Sequence, residues 1–427
     1  MRTMKDSGIE WIGEIPESWK ISKVKHGFVR KKEEAHQENP VILSLARSGV
    51  KVRDMSKNEG QIAESYYNYN PVIPGDLLLN PMDLYSGANC SISKETGVIS
   101  PAYMNLRAKG GYCPEFYDYY FKTQYWGMAM FAHGKGVSFE NRWTLGSEDL
   151  LNYYIPAPSY SEQERIAEFL DKKCGEIDEV IAKTEKTIEE YKALKQSVIT
   201  EAVTKGIRPN RPMKDSGIEW IGQIPEEWGI SRVGLHYDIT LGKMLCTNQL
   251  SDEYTYEKYF CAANVHFDGL SEQDDLKKMW FSNFEKELYK VHSGDMLVVE
   301  GGAGAGGSTI VNNLDDDIYI QNSIMIVRNR NFPDNRYLRY LIEYLVKQGY
   351  IDVVCNKATI PHFTKDKLEN VPYPVIQNRE MIMISDYLDT KCAEIDKLIE
   401  SKQQLLTELE TYKKSVIYEY VTGKKEV

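Results

Sequence analysis

The stretch MKDSGIEWIGEIPESW at residues 4–19 recurs almost unchanged as MKDSGIEWIGQIPEEW at residues 213–228. Fourteen of the 16 positions are identical, and the two copies lie 209 residues apart. A second pair, LDKKCGEID at 170–178 and LDTKCAEID at 388–396, is separated by 218 residues. The chain therefore consists of two repeats, each with a leader, a segment unlike its counterpart, and a conserved ending.

Each conserved ending has the residue spacing of a long helix. Apolar residues recur at alternating steps of three and four over nearly four heptads, with Glu and Lys at the other positions, and this spacing predicts a coiled-coil seam. Lysines interrupt the stripes, at Lys195 in the first and at Lys402 and Lys413 in the second. The residues assigned to the seam are Cys174, Ile177, Ile181, Ile188, Tyr191, Val198, Cys392, Ile395, Ile399, Leu406, Leu409 and Val416.

The helix ends also have sequence signals. Ser161 and Glu164 match a capping box at the start of the first helix, and Gly206 and Gly423 stand where the two helices should stop. Because an apolar stripe is unstable in water, we expect the two helices to pack against each other. The sequence leaves their relative direction open.

The segments between leader and helix are called variable segments 1 and 2, roughly residues 20–158 and 229–376. They share little sequence, and the two repeat offsets (218 and 209) make the second nine residues longer. The predicted boundaries are 1–158 for the first leader and variable segment, 159–206 for the central helix, 207–376 for the second leader and variable segment, and 377–427 for the C-terminal helix.

Both variable segments have the pattern of a mixed α/β (α+β) domain. In each, a Gly-Asp turn is followed by an apolar strand, at 74–79 and 293–299. Each then has an aromatic-rich stretch, at 115–126 and 335–350, which we predict to be a helix on the domain core. The sequence thus predicts two copies of one α/β domain, separated by two long helices packed as a coiled coil, with pseudo-two-fold symmetry.

Composition excludes several classes of protein. Apolar residues make up 42% of the chain, enough for folded cores, and no apolar run reaches the ~18 residues of a membrane span. The seven cysteines are scattered without a CxxC pair, so we expect a cytoplasmic protein without a disulfide scaffold or a zinc site. The net charge is −11, but residues 20–150 carry 16 basic and 14 acidic side chains. Residues 229–370 carry 15 and 20, so only the first variable segment is mildly basic.

No set of residues has the pattern of a catalytic, cofactor or metal site. The glycine-rich run at 301–308 contains GxGxxG but lacks the Lys-Ser/Thr of a phosphate-binding loop. It is interpreted as a structural loop, with close approach to a DNA backbone as the main alternative. Asn80-Pro81-Met82-Asp83 only partly matches the Asn-Pro-Pro-aromatic motif of amino-methyltransferases.

This layout resembles the specificity (S) subunit of type I restriction-modification systems. The leaders carry the resemblance at Trp11, Ile12, Gly13, Ile15, Pro16, Trp19, Trp220, Ile221, Gly222, Ile224, Pro225 and Trp228. The first helix entry is similar to the family pattern at Pro156, Pro158, Glu162, Gln163, Ile166, Ala167 and Leu170. The second entry keeps Pro374, Glu380, Ile384 and Leu388, with Met381 in place of the glutamine.

The resemblance implies a non-catalytic subunit without cofactors that binds double-stranded DNA. Each variable segment would act as a target-recognition domain and read one half of a split, asymmetric site. The two helices would fix the gap between the half-sites and dock two methyltransferase subunits, which restriction subunits join. Other possibilities remain open: the specificity module of a methylation-only or other multi-subunit defence system, or a coiled-coil assembly protein that does not bind DNA.

Cationic and amide side chains on loops are the natural candidates for DNA contact. Arginine and lysine reach guanine edges or phosphates, and asparagine reaches adenine. The candidates in the two variable segments are Arg47, Lys51, Arg53, Lys57, Lys135, Arg142, Lys243, Asn264, His266, Lys357, Thr359, His362 and Lys365. As clusters they lie between apolar runs at corresponding places in the two repeats.

Overall fold

The computed structural model describes residues 2–46, 48–56, 63–82, 84–85, 89–138, 143–267, 269–332, 334–355 and 361–427. The chain divides into two compact units. Unit 1 is Met1–Glu185 with Gln403–Val427, and unit 2 is Lys186–Lys402. Each unit therefore contains one leader, one variable segment and a part of both long helices.

The elements follow a similar order in the two repeats. The first repeat contains β1 (Met4–Asp6), β2 (Glu14–Pro16), β3 (Lys20–Lys23), α1 (Val24–Gly27), β4 (Phe28–Lys31), β5 (Leu43–Ala46), β6 (Gly49–Val52), β7 (Asn70–Val72), β8 (Leu77–Leu79), β9 (Cys90–Ile92), β10 (Gly97–Ile99), β11 (Met104–Ala108), α2 (Pro114–Trp126), α3 (Ser147–Asn152), β12 (Tyr154–Ala157) and α4 (Tyr160–Lys205).

The second repeat contains β13 (Met213–Asp215), β14 (Gln223–Pro225), β15 (Gly229–Arg232), β16 (Tyr237–Leu241), β17 (Thr255–Phe260), β18 (Val265–His266), β19 (Gly269–Leu270), β20 (Lys278–Phe281), α5 (Asn283–Tyr289), β21 (Met296–Val299), β22 (Ser308–Ile310), β23 (Tyr319–Ile320), β24 (Ile324–Asn329), α6 (Arg336–Lys347), α7 (Tyr350–Val354), α8 (Lys365–Glu369), β25 (Pro372–Val375) and α9 (Asn378–Val421).

Each variable segment is built on an equivalent antiparallel sheet. The strand order is β4-β11-β8-β9 in unit 1 and β16-β24-β21-β22 in unit 2. The aromatic-rich stretches form α2 and α6, which bury their apolar residues on these sheets, and this confirms the predicted helices. Unit 2 adds a second sheet, β20-β17-β23, with the short helix α5.

Each Gly-Asp turn places a buried aspartate beside a partly exposed arginine of the same sheet. Gly75 and Gly294 have φ of +88° and +87°, values that suit glycine because it has no Cβ. The aspartate after each glycine is buried and accepts two hydrogen bonds from one arginine. Arg107 makes this bidentate contact with Asp76 at 2.7 and 2.8 Å. The equal geometry in both units supports one fold with two different surfaces.

The long helices run antiparallel within each unit. In unit 1, Phe169 packs against Tyr420 with ring centroids 4.4 Å apart, and Asp178 pairs with Lys413 at 2.6 Å, so the partner number falls as the α4 number rises. In unit 2, Lys195 pairs with Asp396 at 2.7 Å. Asp396 and Lys413 are the repeat equivalents, at an offset of 218, of Asp178 and Lys195. Lys195 and Lys413, which interrupt the stripes at equivalent positions, therefore make equivalent ion pairs.

Both helices stop at the predicted glycines, whereas the predicted capping box at the start of α4 is wrong. Gly206 and Gly423 have φ of +74° and +72°. The capping hydroxyl belongs to Ser159, which accepts the Glu162 N–H at 3.3 Å, and not to Ser161. The Ser-x-x-Glu pattern fits both serines, and the earlier one leaves the Glu162 carboxylate free to pair with Arg2 at 2.5 Å.

An arginine–glutamate pair ties each leader to the start of a long helix. Arg2 pairs with Glu162 in unit 1, and Arg211 pairs with Glu380 at 2.5 Å in unit 2. The side chains of the second pair are only 6% and 7% exposed, against 19% and 12% in the first. The leader of unit 2 is therefore held by the more deeply buried charge pair.

Candidate nucleic-acid interface

In unit 1, two loops meet at one end of the four-stranded sheet. The segment after β8 is held by the Leu84 N–H, which donates to the Trp143 carbonyl at 3.1 Å, and by the Leu145 N–H, which donates to the Pro81 carbonyl at 2.8 Å. The start of the segment after β8 and the end of the segment before α3 therefore lie side by side. Lys135 and Thr144 pair across the second segment through both backbone hydrogen bonds.

The β5–β6 hairpin reaches the same region. The Asn89 side-chain amide, just before β9, donates to the Ala46 carbonyl at the end of β5. Lys51 is exposed on β6, and the Arg53 N–H donates to the Ile42 carbonyl at 2.8 Å. The two candidate stretches of variable segment 1 are thus both anchored beside the loop that follows β8.

Unit 2 repeats this arrangement around the glycine-rich run. The Gly302 N–H donates to the Pro361 carbonyl at 3.1 Å, and the Phe363 N–H donates to the Glu300 carbonyl at 2.6 Å. These contacts match the two that hold the loops of unit 1. His362 lies between them, with Nδ1 3.4 Å from Glu300 Oε2.

Hydrogen bonds within the glycine-rich run explain its composition. The Gly306 N–H donates to the Val299 carbonyl and the Gly307 N–H to the Gly304 carbonyl, so these donors do not point outward toward a phosphate. Gly306 has φ of +82°, and a Cβ there would lie 2.9 Å from the Val346 side chain of α6. The run is a loop packed on α6, in agreement with the structural interpretation.

The candidate side chains of unit 2 differ in accessibility. Lys243 follows β16 at this end of the sheet but is only 8% exposed. Its ammonium pairs with Glu285 and lies over the rings of Tyr254 and Phe281, 4.9 and 5.3 Å from their centroids. An ammonium held in this way is poorly placed to contact DNA.

The remaining described candidates lie at the surface or in turns. His266 is exposed beside Ser271, and Asn264 uses its side-chain oxygen to accept the Cys261 N–H at 2.9 Å. Lys365 is exposed at the start of α8, and Lys135 pairs with Asp149 at 3.3 Å. Arg47, Lys57, Arg142, Lys357 and Thr359 lie outside the described residues.

Two lysines missed by the sequence analysis lie at the same end of the sheet. Lys31 ends β4 and pairs with Asn105 near the start of β11, which in turn lies beside the end of β8. Lys32 follows it and is exposed. The sequence signal for these two lysines is the run FVRKK at residues 28–32, in which cationic residues directly follow apolar ones.

Sequence comparison with curated proteins finds specificity subunits of type I restriction enzymes. No family model matches the chain. It is 24% identical to a putative type I restriction enzyme specificity subunit, MjaX, of Methanocaldococcus jannaschii, over 97% of this chain and 95% of that protein. It is 23% identical to the MjaVIII specificity subunit of the same organism, over 82% and 80%. The chain resembles type I restriction enzyme specificity subunits along nearly its whole length.

Solved structures of such subunits share the fold. A chain from a type I restriction-modification system, solved to explain its assembly and conformational transition, aligns with a TM-score of 0.72 at 18% identity, over 96% of this chain and 99% of that one. The HsdS subunit of Thermoanaerobacter tengcongensis aligns at 0.53 and 16%, over 96% and 98%. These alignments confirm the predicted pair of α/β domains on long packed helices.

Two further properties concern the part of the chain that the structure describes. Within those residues, His, Cys, Asp and Glu side chains form no group that could hold a metal ion. Their helices lack the combination of length and hydropathy that a bilayer span requires.

Proposed function

We propose that this chain is the DNA-specificity subunit of a type I restriction-modification complex and reads a bipartite, asymmetric site. One observation carries the proposal: each unit brings its polar loops to the same end of an equivalent sheet. The leaders and helices around these loops are repeated, while the loops themselves differ. A repeated frame with two different reading surfaces fits a site made of two unlike half-sites.

The charge distribution favours a complex over a lone DNA-binding chain. Variable segment 2 is net acidic, and Lys243 at its reading end is neutralised by Glu285. Phosphate contacts supply most of the affinity for DNA, so a partner has to contribute positive charge. We assign this role to two methyltransferase subunits, through which restriction subunits join. We place no catalysis on this chain, and we expect it in the cytoplasm.

The long helices offer two equivalent places for such partners. In unit 1, Val180 and Tyr412 are 44% and 51% exposed, and in unit 2, Leu194 and Leu398 are 49% and 46% exposed. Val180 corresponds to Leu398, and Leu194 to Tyr412, at the repeat offset of 218. Val180 and Leu398 directly precede the seam residues Ile181 and Ile399. Leu194 and Tyr412 directly precede lysines that interrupt the stripes. All four therefore widen the apolar stripe beyond what the helix pair covers. A stripe this wide is typical of helices in larger bundles.

The first experiment tests DNA reading. The chain, copurified with its methyltransferase, is incubated with a random DNA library, and bound and methylated sequences are read. We expect one bipartite motif. Exchanging residues 20–158 for those of a homologue should change one half of it only, because the other unit is untouched. A change in both halves, or methyl transfer by the chain without partners, would contradict the proposal.

The second experiment tests docking. Native mass spectrometry of the Val180→Asp/Tyr412→Ser variant should show one methyltransferase copy lost from a complex that otherwise carries two. Exposed Glu179→Lys on the same helix serves as the control and should retain both copies. Two retained copies in the double variant would exclude this surface. Cleavage assays with and without restriction subunits distinguish a restricting system from a methylation-only one.

A further inference from the structure

In each unit, one tyrosine of the domain helix donates a hydrogen bond to an aspartate of a long helix. In unit 1 the Tyr119 hydroxyl on α2 donates to Asp171 Oδ1 on α4 at 2.7 Å. In unit 2 the Tyr340 hydroxyl on α6 donates to Asp389 Oδ1 on α9 at 2.7 Å. The aspartates are 218 residues apart, the offset of the helix repeat. The contact is therefore repeated although the variable segments share little sequence.

The surroundings of the two tyrosines are also alike. A cation lies over each ring: Lys122 is 5.3 Å from the Tyr119 centroid, and Arg339 is 4.5 Å from the Tyr340 centroid. Burial and the accepting carboxylate raise the pKa of both tyrosines, so the hydroxyls remain protonated donors.

Each domain helix also touches the other long helix of its unit. The Lys414 ammonium of α9 lies 5.8 Å from the Trp126 ring at the end of α2. The Tyr337 hydroxyl of α6 donates to the Val203 carbonyl of α4 at 2.8 Å. Apolar packing attracts without direction, whereas hydrogen bonds have defined angles. The tyrosine–aspartate bond is the directional contact that recurs at equivalent long-helix positions in both units, so it can fix the rotation of each domain helix in the same way.

We propose that the Tyr119–Asp171 and Tyr340–Asp389 pairs are positioning pairs that set the angle at which each variable segment presents its loops. The inference rests on the proposed reading of DNA. A domain of about 140 residues, the size of a variable segment, has a radius of gyration of about 14 Å. A rotation of about 14° at that radius displaces a loop by about 3.4 Å, the rise of one base pair.

The two tyrosine–aspartate pairs differ in the additional charge contacts between the domain helix and the long helix. In unit 2, Arg336 of α6 also contacts α9, at 2.9 Å from Asp386 and 2.6 Å from Asp389. Helix α2 contains no arginine. Loss of the tyrosine hydroxyl should therefore loosen unit 1 more than unit 2.

The test uses the full chain with its methyltransferase subunits and DNA in which only the spacer between half-sites is randomised. For Tyr119→Phe we expect unchanged half-site sequences, while discrimination against spacers longer or shorter by one base pair falls about tenfold. Tyr340→Phe should show a smaller loss. Tyr153→Phe is the control, because that hydroxyl bonds Gln124 at 2.9 Å inside variable segment 1.

Asp171→Ala, which removes the acceptor of the Tyr119 hydroxyl, supplies a second variant at an exposed position, should the first fail to fold. It should relax spacing as Tyr119→Phe does, and the double variant should go no further. Equal loss of affinity at all spacings, or the same relaxation in Tyr153→Phe, would overturn the proposal. If the unmodified complex selects no bipartite site, it is the proposed function that fails.

Discussion

A matched insertion into both long helices tests whether they set the distance between half-sites. Seven residues are added between Glu185 and Lys186 in α4, and seven between Lys402 and Gln403 in α9, where the two units meet in sequence. One heptad keeps the 3-4 seam in phase. All pairing inside each unit is left as it is, so we expect the variant to fold and to bind its partners.

The magnitude follows from helix geometry. Seven residues at 1.5 Å lengthen each helix by about 10 Å, and a straight helix turns only about 20° away from its starting face over a heptad. Ten ångströms correspond to about three base pairs, which add roughly 100° of DNA twist. The parental site should therefore bind at least tenfold more weakly, and sites with a spacer about three base pairs longer should be preferred.

Selection from DNA with randomised spacers, using the intact complex, measures the effect. The control variant has the seven residues in α4 alone, which offsets the Asp178–Lys413 pair of unit 1 against the Lys195–Asp396 pair of unit 2. It should lose stability or partner assembly. If the matched variant keeps the parental spacing, the helices dock partners without setting the distance.

Three further changes test what stabilises unit 2 and whether the chain divides into two units. Arg211→Met should lower the free energy of unfolding of unit 2 by about 3 kcal/mol, because the buried Glu380 carboxylate loses its charged partner. Adding Glu380→Leu should restore much of that free energy, and urea titration measures both variants. Gly306→Ala, strained at positive φ and crowded by α6, should cost about 1–3 kcal/mol in the same assay, whereas Gly304→Ala, whose added Cβ meets only an ordinary contact, should cost less than 1. Deletion of 403–427 should remove hydrogen-exchange protection from unit 1 and leave it in unit 2, and equal loss in both would contradict the division into units.

The sequence predicted the parts of the fold that follow a period. The 3-4 spacing located both long helices, and the Gly-Asp turns located β8 and β21. Helix direction did not follow from spacing, because an apolar stripe fits a partner helix in either direction. It is seen only in contacts such as Asp178–Lys413, which join residues 235 positions apart.

The candidate site was predicted as clusters and not as individual side chains. A cationic residue just after a strand indicates where a loop begins, as at Lys243 after β16. Whether its charge is available depends on distant residues. Lys243 is neutralised by Glu285, which also accepts the Ser282 N–H at 2.8 Å at the start of α5. The sequence around Lys243 contains no pattern that predicts its contact with Glu285.

The composition of unit 1 has a consequence for the order in which the protein is made. Unit 2 is one continuous stretch, whereas the core of unit 1 buries Val416, Ile417 and Val421 beside Trp19. At 5–20 residues per second, a ribosome adds those last side chains roughly 10–45 s after it has passed Glu185. The variable segment that is synthesised first is therefore completed last. Until Val416, Ile417 and Val421 are added, the apolar surface that they cover in unit 1 lacks these partners, and a nascent chain that stalls late in synthesis contains all of unit 2 and an incomplete unit 1.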